Sequence, residues 1–150
     1  MSRNVRVIKT TPDRVWAVLA DGWLYPLWVV GATRMREVDD DWPSAGARIH
    51  HSVGVWPVVL DDDTEVLECV PERRLKLRAR GWPPGEADVE LVLTAVPGGT
   101  EVEMVEDVTA GPARLVPKPV RAPLIAWRNT ESLRRLAFLA ERRAARRGDG

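Results

Sequence analysis

From Arg3 to Thr10 the chain alternates, Val5 and Val7 on one side and Arg6 and Ile8 on the other, and this period of two predicts a first strand. Thr11-Pro12-Asp13 then changes the rhythm. Pro fits the first turn of a helix behind a Thr cap, and Val15, Trp16, Val18 and Leu19 recur at helical spacing until Asp21-Gly22 stops them. Trp23 to Val30 is apolar but broken at Pro26, which fits a second short helix or a turn closing one end of a sheet. A meander of strands follows: Arg34 to Val38, Ala47 to Val55, Val58 to Cys69, a strand in which Leu75, Leu77 and Ala79 alternate with Lys76, Arg78 and Arg80, another around Val89, Leu91 and Leu93, and Thr100 to Thr109. Short connections rich in Gly and Pro separate them, so neighbours should pair antiparallel. Four prolines between Gly111 and Pro123 end the sheet. Leu124 to Arg147 carries the longest helical pattern, with Ile125, Asn129, Leu133, Leu136 and Ala140 on one stripe and most arginines off it.

These elements predict an α+β fold. A curved antiparallel sheet of about six to seven strands wraps around the long C-terminal helix, with two short helices after the first strand. The last helix, roughly 36 Å at 1.5 Å per residue, is the only element long enough to cover the sheet's apolar face. A chain of 150 residues is expected to form one domain over 1–150. The 22 Lys and Arg balance the 22 Asp and Glu, which argues against a nucleic-acid binder, since that class needs a positive excess. The arginines crowding the last helix's C-terminal end suit its dipole and read as a solvated end. Cys69 is the single cysteine; an intrachain disulfide is impossible, and a reducing, cytoplasmic location is the expectation. No apolar run reaches the ~20 residues of a membrane span, so no membrane insertion is expected. Seven Trp against one Tyr and one Phe is an unusual balance, and most of the indoles are expected in the core or along a cavity wall.

The order of elements, together with several local strings, resembles the START-like, helix-grip superfamily, and within it the bacterial polyketide cyclase/dehydrase and lipid-transport-like (SRPBCC) proteins. The strings are Thr11-Pro12-Asp13-Arg14-Val15-Trp16 after the opening strand, Gly99-Thr100-Glu101-Val102 with Glu106 further on, Gly111-Pro112, Arg128-Asn129, and Glu131-Ser132-Leu133-Arg134-Arg135-Leu136. The resemblance implies a cavity between sheet and helix. It implies no fixed chemistry, because the superfamily holds binders, transporters, cyclases and co-chaperone-like domains.

Within such a cavity Glu106 stands out. It shares parity with Val102, Met104 and Val108 and should face inward. Two readings stay open: a general base or ligand anchor, or a structural acceptor paired with an Arg, a Trp N–H or a backbone group. His50 and His51 are adjacent and face opposite sides; His51 has the parity of Ile49, Val53 and Val55 and is the inward candidate. Two adjacent strand positions make poor metal geometry, and Asp61-Asp62-Asp63 lacks the Gly and spacing of a calcium loop; no metal and no cofactor are expected. Nor is there a Gly-x-Ser-x-Gly elbow, a phosphate loop or a His-Glu-x-x-His helix.

The first functional expectation is a binder of a small apolar ligand, lipid-like, polyketide or aromatic. Trp28, Arg48, His51, Val53, Trp56 and Leu77 would contact it, with Leu91, Met104, Glu106, Trp127 and Leu133. Trp23 and Trp82 are further indoles that fit the wall. The second is a polyketide cyclase or dehydratase, with Glu106 or His51 as the base and Arg48, Tyr25 or a Trp N–H as the donor to a developing enolate. The third is a protein-interaction role like that of the co-chaperone-like domains. The sequence gives no oligomeric state.

Overall fold

The computed structural model describes residues 2–29, 32–55, 58–81, 85–110 and 117–146. Strand β1 (Ser2–Ile8) leads into helix α1 (Pro12–Leu19), a 3-10 turn (Gly22–Leu24) and helix α2 (Tyr25–Trp28). Then come β2 (Ala32–Val38), β3 (Arg48–Val55), β4 (Val58–Val70), β5 (Arg74–Gly81), β6 (Gly85–Val96) and β7 (Gly99–Ala110), and helix α3 (Lys118–Arg146) closes the order. The strands form one seven-stranded antiparallel sheet in the order β1-β7-β6-β5-β4-β3-β2. α3 packs against β1 and β7 and against α1 and α2. This is the helix-grip architecture that the alternation and the last helical stripe predict. No helix among the described residues is long and apolar enough to cross a membrane.

The sheet separates its two faces by parity. Ile49, Thr64, Val66, Leu75, Leu77, Leu91, Leu93, Val102 and Met104 are buried on the inner face. Leu133, Leu136, Ala137 and Ala140 of α3 close over them with Val15, Val18 and Leu19 of α1. Each fully buried Leu or Val removes enough apolar area to contribute about 1.5–3 kcal/mol. That scale makes the alternation decisive, since a slip of one residue would turn the whole set outward. Where β1 ends against β7 the backbones touch: a β carbon on Gly99 would lie 2.1 Å from the Ile8 carbonyl oxygen. Only glycine fits there. Next to it the Thr100 hydroxyl donates to the Thr10 carbonyl at 2.8 Å and fastens the corner.

One boundary departs from expectation. α3 begins at Lys118 rather than Leu124 and runs through Pro119 and Pro123. Pro119 lies in the first turn, where a helix leaves its N–H groups unpaired anyway. Pro123 costs one bond of the ladder and is tolerated because the residues on both sides remain helical. A run of prolines reads as a break in sequence, whereas here it is the entry of the helix. At α1, Thr11 occupies the cap position and Pro12 the first helical position as expected, although the Thr11 side chain makes no bond to the helix's own N–H groups.

Candidate functional site

The inner face of the sheet is built in cross-strand rows. Val66, Leu77, Val89, Glu106 and Ser2 lie side by side across β4, β5, β6, β7 and β1. The neighbouring row runs Cys69, Leu75, Leu91, Met104 and Asn4. An acidic side chain, only 5% exposed, thus sits in a sheet surface that is mostly Leu, Val, Ile and Met. A carboxylate taken out of water needs a partner. It finds one in Arg128 of α3, whose guanidinium Nη2 donates to Glu106 Oε2. The ion pair ties the helix to the sheet. It is asymmetric: Glu106 is buried, whereas the Arg128 side chain is 39% exposed.

Tyr25 and Thr64 stand beside this pair. Tyr25 Oη lies 3.2 Å from Thr64 Oγ1, and both residues are buried. Burial pushes the Tyr25 phenol above its ordinary range; the Thr64 hydrogen bond and the charge of Arg128 oppose that shift, and the charge of Glu106 adds to it. The phenol therefore stays protonated at neutral pH and keeps its hydrogen as a donor. Its ring meets Trp28 edge-on, with centroids 5.5 Å apart and planes at 68°, a favourable aromatic geometry. Helix α2, short as it is, holds both rings against α3.

Two more polar residues are buried on α3. Asn129, one position beyond Arg128, and Ser132 lie among Leu133 and Leu136. Tyr25, Thr64, Glu106, Arg128 and Asn129 form the polar pole of an apolar interior. Its chemistry leans toward donation: a neutral phenol and a guanidinium lie near one carboxylate that the guanidinium already neutralises.

Leu77, Leu91, Met104, Glu106, Leu133 and Trp28, all expected at a ligand, are buried together on the inner side. Arg48 is elsewhere. It is on the outer face of β3, 3.1 Å from Asp63 and 3.7 Å from Glu65, because its neighbour Ile49 takes the inward position. Trp127 is 66% exposed on the side of α3 turned away from the core, with Val120 and Leu124. His51 and Val53 belong to β3 and share the parity of Ile49, but their side chains lie outside the described residues, as do Trp56 and Trp82 altogether. Trp23 is exposed. It lines an open recess of about 430 Å³ with Trp42, Asp39 and Asp40 that shares none of the polar-pole residues. Among the described residues no His, Cys, Asp and Glu gather as metal ligands would. Burial raises the Cys69 thiol, which keeps it in the unreactive protonated form.

Sequence reasoning missed Arg128 as the partner of Glu106, and Asn129 as a polar member of the pole. The signal for Asn129 was present, as the one amide in an apolar helical stripe. Arg128 carries no such mark, because its partner lies on a strand and only the tertiary fold brings the two together.

The fold recurs widely. A protein from Rhodobacter sphaeroides superposes with a TM-score of 0.69 at 28% identity, covering 91% of this chain and 89% of its own. SA2116 from Staphylococcus aureus, a protein of unknown function, gives a TM-score of 0.74 at 12% identity, with 95% and 94% covered. The di-domain ARO/CYC StfQ of the steffimycin biosynthetic pathway also gives a TM-score of 0.74 at 12% identity, with 95% of this chain matching 51% of StfQ. No curated protein matches the chain. The family model described as polyketide cyclase / dehydrase and lipid transport spans residues 2–141; with the gripped helix and the inward polar pole in place, the chain belongs to that family.

Proposed function

We propose that the chain binds a small apolar ligand of polyketide or aromatic type between the inner face of the sheet and α3. The carrying observation is the polar pole: a buried carboxylate held by a guanidinium, beside a phenol that remains protonated, in a face made mostly of Leu, Val, Ile and Met. Small-molecule sites have this composition, mostly apolar with a few convergent polar groups that fix orientation. Leu77, Leu91 and Met104 would contact the ligand's body and the pole would orient its polar end. Native mass spectrometry of the purified protein, followed by denaturation and identification of what is released, tests the reading. A co-purified apolar molecule of a few fused or linear carbon units is the expected result. A protein that is empty and also fails to take up added aromatic probes contradicts it.

A second reading draws on Tyr25 and on the likeness to StfQ. In a cyclase or dehydratase, a base removes a proton beside a carbonyl and a donor holds the enolate oxygen. Glu106 would be the base and Tyr25 the donor. Glu106→Gln would then abolish turnover of a polyketide substrate while the fold persists. A Glu106→Gln variant with full turnover removes Glu106 from that role. The commitment of Glu106 to Arg128 favours the binding reading over this one. A cytoplasmic location fits both.

A further inference from the structure

The open recess beside Trp23 has a chemistry opposite to that of the polar pole. Its volume is about 430 Å³, within the range of small-molecule sites. Its wall holds Asp21, Asp39 and Asp40 with Trp23 and Trp42, and among the described residues no Lys or Arg. Trp42 is buried, and its indole N–H donates to the Leu19 carbonyl at 3.2 Å. Trp23, by contrast, is 57% exposed. Single exposed apolar side chains are common and need no explanation. The backbone that carries this one is held in place, however. Asp21 Oδ1 accepts from the Trp23 N–H at 3.2 Å. A β carbon on Gly22 would lie 2.7 Å from Val38 Cγ1 and 3.2 Å from Trp42 Cδ1, so the turn presses on both side chains and leaves room only for glycine. The acidic rim is pinned too. Asp39 Oδ2 accepts from the Arg48 N–H at 2.9 Å, and the Asp39 carbonyl accepts from the Trp42 N–H at 3.0 Å.

We propose that this recess is a second binding site, which takes a small organic ammonium ion, the cation lying against the face of Trp23 and its N–H groups donating to the carboxylates of Asp39 and Asp40. The proposal is independent of the inner-face reading. An indole face attracts a cation through its quadrupole. The carboxylates add charged acceptors, which make the stronger kind of hydrogen bond. The wall offers little donation in return. The Trp42 N–H is already taken, which leaves the Trp23 N–H as the side-chain donor among the described lining residues. An anion would therefore meet like charge and almost no partner. A bare metal ion is disfavoured as well, because among the described residues no His, Cys, Asp and Glu gather as metal ligands would. The chemistry that remains is a cation with N–H donors and a carbon skeleton that an indole can cover.

The test is an NMR titration of the isotopically labelled full chain with 2-phenylethylammonium. Its neutral and anionic analogues of similar shape, 2-phenylethanol and 3-phenylpropanoate, serve as controls. The Trp23 indole N–H and the backbone N–H groups of Asp39 and Asp40 should shift and saturate with the ammonium at a Kd of about 1 mM. The alcohol should bind at least about tenfold more weakly, and the carboxylate should cause no shift. Trp23→Ala should weaken ammonium binding about fivefold and Asp40→Asn about threefold. Both side chains are exposed, so both variants should keep the spectrum of the folded protein. Equal binding of ammonium and alcohol overturns the proposal, and so does wild-type affinity in either variant. Ammonium-induced shifts at Leu77, Leu91 and Met104 in place of the recess also overturn it, as does the lack of any saturable shift at about 20 mM ammonium. None of these outcomes contradicts the inner-face reading, whose ligand and residues are different.

Discussion

The two faces of the sheet handle charge in opposite ways. On the outer face, Arg48, Asp63, Arg80 and Glu86 form a continuous ladder across β3, β4, β5 and β6, with contacts of 3.1, 2.6 and 2.8 Å. Arg78 with Asp88 and Arg74 with Glu68 and Glu90 extend it. On the inner face, the charge of β7 is Glu106, met from above by Arg128. The outer pairs follow from strand register: partners opposite one another on neighbouring strands, such as Arg78 with Asp88 and Arg80 with Glu86, meet automatically. The inner pair joins residues of a strand and a helix, and no register rule creates it. Charges that are cheap to keep and screened by solvent decorate the outside, and an expensive one has been retained inside. That difference is the physical ground for proposing a ligand site on the inner face.

Breaking the two kinds of pair should give unequal results. Arg128→Ala leaves Glu106 buried without its partner and should cost roughly 3 kcal/mol in urea unfolding. The loss should be nearly the same at low and high salt, since buried charges are screened little. Asp63→Asn, which removes the hub of the outer ladder, should cost about 1 kcal/mol, and the loss should fade as salt shortens the screening length to about 3 Å at 1 M. If Asp63→Asn costs as much as Arg128→Ala, or if both respond equally to salt, the contrast between the faces is wrong.

Titration sharpens the same contrast from both ends of the pH scale. Burial of Asp63 raises its carboxyl, but Arg80 and Arg48 together outweigh that and hold it below its ordinary range. Glu131 is pulled down to about 2, chiefly by its hydrogen bond to Arg134. Both are carboxylates depressed on folding, so their contribution is complete above the ordinary carboxylate pKa of about 4. It is lost as pH falls through their folded values. Tyr25 runs the other way. Its pKa is raised by burial, so its contribution is complete below the ordinary phenol pKa of about 10 and is lost as pH rises beyond it. Because Tyr25 is the only tyrosine, difference absorbance follows this one group. Its ionisation should be delayed past that of free tyrosine and should coincide with alkaline unfolding. A normal, reversible titration in the folded protein would place the phenol in water.

The smallest effect is expected from Tyr25→Phe, which removes a hydroxyl but keeps the edge-on contact with Trp28. It should lower stability by about 0.5 kcal/mol through the lost Tyr25–Thr64 bond, with a larger loss in affinity for an oxygen-bearing ligand than for a hydrocarbon.

Much of this arrangement was legible along the chain. Alternation set the inward parity of Leu77, Leu91, Met104 and Glu106, because period two is a rule of backbone geometry and needs no tertiary knowledge. The same rule, applied to Arg48, assigns it to the face opposite Ile49, but a long cation near an expected cavity was read by its chemistry and not by its parity. Trp127 illustrates the converse. A Trp in an otherwise buried helix suggests a wall residue, yet its position on α3 falls on the side turned away from the sheet. The helical stripe of Asn129, Leu133 and Leu136 was visible, but not that the amide nitrogen would lack a partner among the described residues, since satisfaction depends on what other elements bring. The pairing of Glu106 with Arg128 was beyond the sequence for the same reason.

The most direct measurement is an NMR titration of the isotopically labelled protein with 2-acetylnaphthalene. The largest backbone amide shifts are expected at Tyr25, Thr64, Glu106, Arg128 and Asn129 and along Leu77, Leu91 and Met104, with Glu101, Glu103 and Asp88 of the outer face unmoved. Shifts confined to the outer face, or to Val120, Leu124 and Trp127 on the exposed side of α3, would contradict an inner-face ligand site.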